Sequence, residues 1–146
     1  MAMSFSAISD EDILVEETWN ACNFKASGSI NAGEAVEMQA ERVGTGVPYV
    51  KTASQDHGDY KASSNAFIGV AAYTVSNEDD IGIYTTGKVT VRASGAITAG
   101  DKVKAVSKGY FQTQHTAASG TASGDYYQGV ALETFTSDEA GVILLK

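Results

Sequence analysis

The chain has little of what most catalytic or secreted proteins are built on: one cysteine and one proline in 146 residues, ten basic side chains against eighteen acidic ones, and two histidines. A lone Cys22 excludes an internal disulfide and every zinc pattern made from several cysteines, and a free cysteine of this kind packs as a small apolar residue. No apolar stretch approaches the roughly 20 residues that span a bilayer as a helix, so no membrane partner is expected. The start, Met1-Ala2-Met3-Ser4-Phe5-Ser6, lacks a basic region followed by an apolar block, so no signal peptide is read. A formal charge of −8 disfavours nucleic acid, whose phosphates the whole-molecule field would repel.

Catalytic motifs are missing as well. There is no Gly-x-Gly-x-x-Gly, no Walker loop and no Gly-x-Ser-x-Gly; Gly120-Thr121-Ala122-Ser123-Gly124 stands one position out of frame. His57, in Asp56-His57-Gly58-Asp59, and His115 fall in polar, glycine-containing stretches and are expected as ordinary exposed loop residues. Asp56, His57 and Asp59 match neither a closed tetrahedral zinc site nor an EF-hand. The expectation is therefore no enzyme, no metal and no cofactor.

What is abundant is glycine in a repeated frame. Gly28-Ser29-Ile30-Asn31-Ala32-Gly33-Glu34-Ala35-Val36 returns as Gly95-Ala96-Ile97-Thr98-Ala99-Gly100-Asp101-Lys102-Val103. A second pair follows, Phe67-Ile68-Gly69-Val70-Ala71 and Tyr127-Gln128-Gly129-Val130-Ala131. The first copy holds about seven extra residues between its two motifs. In this frame Gly33 and Gly100 supply positive φ, the following acid accepts backbone hydrogen bonds, and the valine starts the next strand inward. Gly69 and Gly129 lie inside strand patterns, where glycine marks a bulge or a close backbone crossing. Alternation, as in Lys88-Val89-Thr90-Val91-Arg92-Ala93, predicts strands from Phe24 onward. The acids of Glu78-Asp79-Asp80 and of Ser137-Asp138-Glu139 suit hairpin turns, and the polar stretches 52–65 and 115–125 read as surface loops.

The predicted architecture is all-β: a compact β-barrel or β-sandwich of two related units, 24–93 and 94–146, forming a single domain behind an N-terminal arm, 1–23. Ser9-Asp10-Glu11-Asp12 reads as a helix start, so one short helix is possible in the arm, and an extended Ile13-Leu14-Val15 reads nearly as well. Charge is uneven. Residues 1–21 hold Asp10, Glu11, Asp12, Glu16 and Glu17 with no Lys or Arg, whereas Lys88, Arg92, Lys102, Lys104 and Lys108 face only Asp101. Alternation puts these cations on the solvent face of neighbouring strands, as a basic patch; the plain reading is a solvated face, the functional one an acidic partner surface.

Ile97-Thr98-Ala99-Gly100-Asp101-Lys102-Val103, Gly109-Tyr110-Phe111, Gly129-Val130-Ala131-Leu132-Glu133 and Val142-Ile143-Leu144-Leu145 together resemble the capsid decoration, or cement, proteins of tailed viruses (bacteriophages). The resemblance covers residues 24–146 as a pattern of short, turn-forming motifs. It implies a small β-barrel-like viral structural protein, often a homotrimer, that is made in the host cytoplasm. Such a protein binds the major capsid protein on the outer surface of the virion head and stabilises the mature shell without catalysis. It also implies an N-terminal arm reaching onto the shell. Phe5, Ile8, Ile13, Leu14 and Trp19 are then the candidate capsid or subunit contacts, unless Val15 and Trp19 cap the protein's own core. The alternative is a carbohydrate-binding or adhesion module on a virion or cell surface, stacking sugars on Tyr49, Tyr60, Tyr126 and Tyr127.

Overall fold

The computed structural model describes residues 24–39, 47–58, 65–114 and 126–146. The arm, with Phe5, Ile8, Ile13, Leu14 and Trp19, lies outside the described residues, as do its possible helix, Cys22, Tyr60 and His115. The described chain is all-β, as the alternation predicts.

Six short strands form the first sheet: β1 (Phe24–Ala26), β2 (Ala35–Met38), β3 (Tyr49–Thr52), β4 (Phe67–Ala71), β5 (Asp80–Ile81) and β6 (Ile83–Tyr84), in the order β5-β1-β3-β2-β4-β6. Strands β5 and β6 are consecutive pieces of one course interrupted at Gly82, so the two ends of the sheet meet and the sheet nearly closes into a barrel. The second sheet comprises β7 (Gly87–Arg92), β8 (Lys102–Ala105), β9 (Phe111–Thr113), β10 (Gly129–Ala131) and β11 (Ala140–Leu145), in the order β7-β11-β10-β8-β9. A parallel bridge from Ala93 to Phe111 draws its outer strands together. Closure of this kind removes the exposed edges that invite aggregation.

The two halves repeat each other bond for bond. Ile30 pairs with Val75 as Ile97 pairs with Phe135. Gly33 N–H donates to the Ala71 carbonyl at 2.9 Å, and Gly100 N–H to that of Ala131 at 2.8 Å. Each motif glycine has positive φ, 85° at Gly33 and 93° at Gly100. The acid after it accepts from the backbone: Asn31 N–H donates to Glu34 at 3.1 Å and Thr98 N–H to Asp101 at 3.0 Å. The hairpin acids act alike, since Ser76 N–H donates to Asp79 and Thr136 N–H to Glu139; the latter bond holds the Glu139 carboxyl below the ordinary glutamate range. The strand preceding each motif belongs with the motif that follows it. Strand β7 therefore pairs with β11, and the second sheet begins at Gly87.

Two apolar clusters fill the molecule. The first barrel encloses Ile30, Val36, Val50, Val75, Ile81 and Ile83 among others. The second cluster fills the second barrel around Val91, Ile97, Phe111 and Ile143, and it also takes in Ala35, Ala53 and Val70 from the outer face of the first barrel. The repeat-equivalent positions in the second unit are Lys102, Gln114 and Val130. Lys102 is exposed where the first unit has the fully buried Ala35, so this face of the second unit is not covered by another barrel as that of the first is.

Gly69 and Gly129 sit where strands approach closely. A Cβ at Gly69 would stand 2.2 Å from the Tyr84 carbonyl oxygen, and one at Gly129 2.6 Å from that of Leu144. The β2–β4 register also shifts beside Gly69. Gly69→Ala should destabilise by about 1–3 kcal/mol, and Gly129→Ala by less, read as urea midpoints. Wild-type midpoints for both variants would refute the steric explanation.

Candidate functional site

Polar side chains converge at the junction of the two barrels, on residues 53–58 that leave β3. Glu37 projects from the outer face of β2 and is fully buried. Its carboxylate accepts from Ser54 Oγ at 2.7 Å and meets His57 Nε2 at 2.7 Å; Asn65 Nδ2 stands at 3.4 Å and Lys51 Nζ at 3.5 Å. An ionised carboxylate only accepts, so Nε2 carries the proton of that bond. Burial pushes the Glu37 carboxyl up, but the hydrogen bonds from Ser54, His57 and Asn65 outweigh it and hold the pKa below the ordinary glutamate value.

The second barrel grips the same segment. His57 N–H donates to the Ala105 carbonyl at 2.9 Å, Gln128 Nε2 to the His57 carbonyl at 3.1 Å, and Gln114 Nε2 to that of Gly58 at 2.8 Å. Lys104 Nζ reaches Asp56 Oδ2 at 2.7 Å. Lys104 is the repeat equivalent of Glu37, so one strand position in each barrel anchors the connection from opposite sides. Gly109 N–H adds a bond to the Ala53 carbonyl at 3.1 Å.

His57 is thus 3% exposed, against the expected solvated loop histidine. The cause is the segment that leaves β3, which folds inward because it carries partners for Glu37 and for the Ala105 carbonyl. Sequence reasoning missed Glu37 altogether. The usable signal was a glutamate in the strand Ala35-Val36-Glu37-Met38 together with a histidine in the polar stretch that follows β3. Chemically the cluster is a clamp: with Ser54 and His57 on its oxygens and no exposed surface, Glu37 has no access to a substrate. Among the described residues no three His, Cys, Asp or Glu side chains converge as a metal site.

The expected basic patch is divided. Lys88 and Arg92 lie on β7 and Lys102 and Lys104 on β8, which β11 and β10 separate, so these are not neighbouring strands. Lys104 is committed to Asp56, and Lys108 lies apart in a 3-10 turn, Ser107–Gly109, with φ of 65°. Lys102 stands 4.9 Å from the Tyr127 ring centroid and Lys146 4.1 Å. The described candidate tyrosines differ in exposure. Tyr49 is buried and donates to Glu78 at 2.5 Å, Tyr127 is half-buried beside those two ammonium groups, and Tyr126 is exposed. Two clefts flank the contact of Gly33 with the Thr90 carbonyl, about 450 Å³ beside Tyr84 and Lys88 and about 230 Å³ beside Arg92 and Tyr110.

Comparison with solved structures bears on this arrangement. The chain shares the fold of the N base of head fiber gp8.5 in bacteriophage phi29. The match has a TM-score of 0.60 over 85% of this chain and 91% of that one, at 14% sequence identity. Identity that low establishes likeness of fold alone. No protein-family model and no curated protein matches the chain.

Proposed function

We propose that this chain is a non-enzymatic structural protein of a bacteriophage head, a decoration protein that binds the outside of the shell and stabilises it. The observation that carries this reading is the fold shared with the phi29 head fiber base over most of both chains. The clamp supports it, because the buried polar groups of the junction bind one barrel to the other. A shell offers many equivalent sites, so a closed homo-oligomer touching several capsid subunits gains affinity through multivalency, and each contact can be weak.

Heads purified without the protein provide the test. Added protein should co-sediment with them to a fixed stoichiometry and raise the temperature at which they release DNA, and sedimentation should show trimers in solution. A monomer that ignores the heads would end the proposal. The same comparison favours a second reading, the base of a head fiber; binding to heads with no gain in heat resistance would select it.

A further inference from the structure

The outer face of the second barrel carries an apolar strip. On β10, the following turn and β11, Val130, Leu132, Val142 and Leu144 alternate with the inward-facing Ala131, Ile143 and Leu145, and Leu132 and Leu144 are each 43% exposed. Val130 lies opposite Leu144, and Leu132 N–H donates to the Val142 carbonyl at 3.0 Å, which makes the strip continuous. Cations border it: Leu144 pairs with Lys88 on β7 and Val130 with Lys102 on β8, so one row across four strands reads Lys88, Leu144, Val130, Lys102. Arg92 lies further along β7. Neither Lys88 nor Arg92 forms an ion pair among the described residues.

A segment of the same chain has the complementary chemistry. Residues 8–19 contain Ile8, Ile13, Leu14 and Trp19, five acids and no base. The chain also enters from the right side. Strand β1 runs antiparallel to β5 with Phe24 opposite Ile81, so the N-terminal end of β1 lies on the side of Gly82 and Tyr84. Tyr84 shares a cleft with Lys88, and Lys88 lies opposite Leu144. From Phe24 back to Leu14 an extended chain spans about 30 Å, whereas four strands are roughly 15 Å wide.

We propose that residues 8–19 dock on this outer face of the same copy, apolar side chains over Leu132 and Leu144 and carboxylates beside Lys88 and Arg92. Tethering sets a high effective concentration, so modest contacts hold the segment in place.

Trp19 is the only tryptophan, and its fluorescence reports the segment directly. In the full-length protein its emission should be blue-shifted and several-fold less quenched by acrylamide than in a peptide of residues 1–23, and a dilution series should leave this unchanged. Two paired variants, Leu132→Ser with Leu144→Ser and Lys88→Glu with Arg92→Glu, should each raise quenching several-fold. All four positions are exposed, so circular dichroism should show an unchanged fold. Peptide-like quenching in the wild type, shielding unchanged in either pair, or shielding that fades on dilution would each overturn the proposal, the last by making the contact one between copies.

Discussion

Glu37→Ala should lower stability by about 3–5 kcal/mol, against the roughly 5–15 kcal/mol that folded domains possess. The substitution removes the acceptor of Ser54 and His57 while His57 remains enclosed, and a buried donor without a partner costs about 1–3 kcal/mol. It also frees the 53–58 connection from one of its two anchors. In thermal unfolding the loss corresponds to a fall in midpoint on the order of 10 °C. A double-mutant cycle with His57→Ala should show strong coupling between the two positions; additive losses would mean that the pair is not a unit. The effect should depend on pH. Folding depresses the Glu37 pKa, so its ionised-state stabilisation is complete above the ordinary unfolded value and is lost as pH falls through the lower folded value. The stability gap between wild type and Glu37→Gln should narrow over that acidic window. A gap that is constant down to the lowest accessible pH would show that the charge contributes nothing.

Phe111→Ala should be comparably severe, about 3–5 kcal/mol. Phe111 is fully buried in the second barrel and meets Phe67 of the first edge-on, ring centroids 6.4 Å apart. Phe67 in turn lies 5.9 Å from the His57 ring, so the aromatic contact continues into the clamp. Truncation removes the large side chain from the core and takes away the far side of the Phe67 contact. Hydrogen exchange at the His57 amide, which donates across the junction to Ala105, should accelerate along with that of β9. Loss confined to the second barrel, with His57 exchange unchanged, would show that the barrels are not joined through Phe67.

Local features were legible because they rest on local physics. Positive φ at Gly33 and Gly100 follows from turns that side chains resist, and the acids of Asp101 and Glu139 bond to backbone within three residues of themselves. Alternation likewise gives the inward Val89 and Val91 of β7. Strand order is different in kind. Lys88 and Lys102 fall on well-formed strands, yet whether those strands touch depends on how the long-range pairs β7–β11 and β8–β10 nest, and no single residue encodes that.

From the amino-acid sequence alone follow an all-β chain, a duplicated unit and the glycines that its turns and close crossings need, since each depends on neighbours a few positions away or on a repeated pattern. Tertiary structure alone decided the fate of Glu37 and His57. Alternation correctly turns Glu37 outward from its own barrel, toward water in a barrel standing by itself. The second barrel and residues 53–58 cover that face, and burial of a carboxylate then demands the hydrogen bonds that make the junction a clamp.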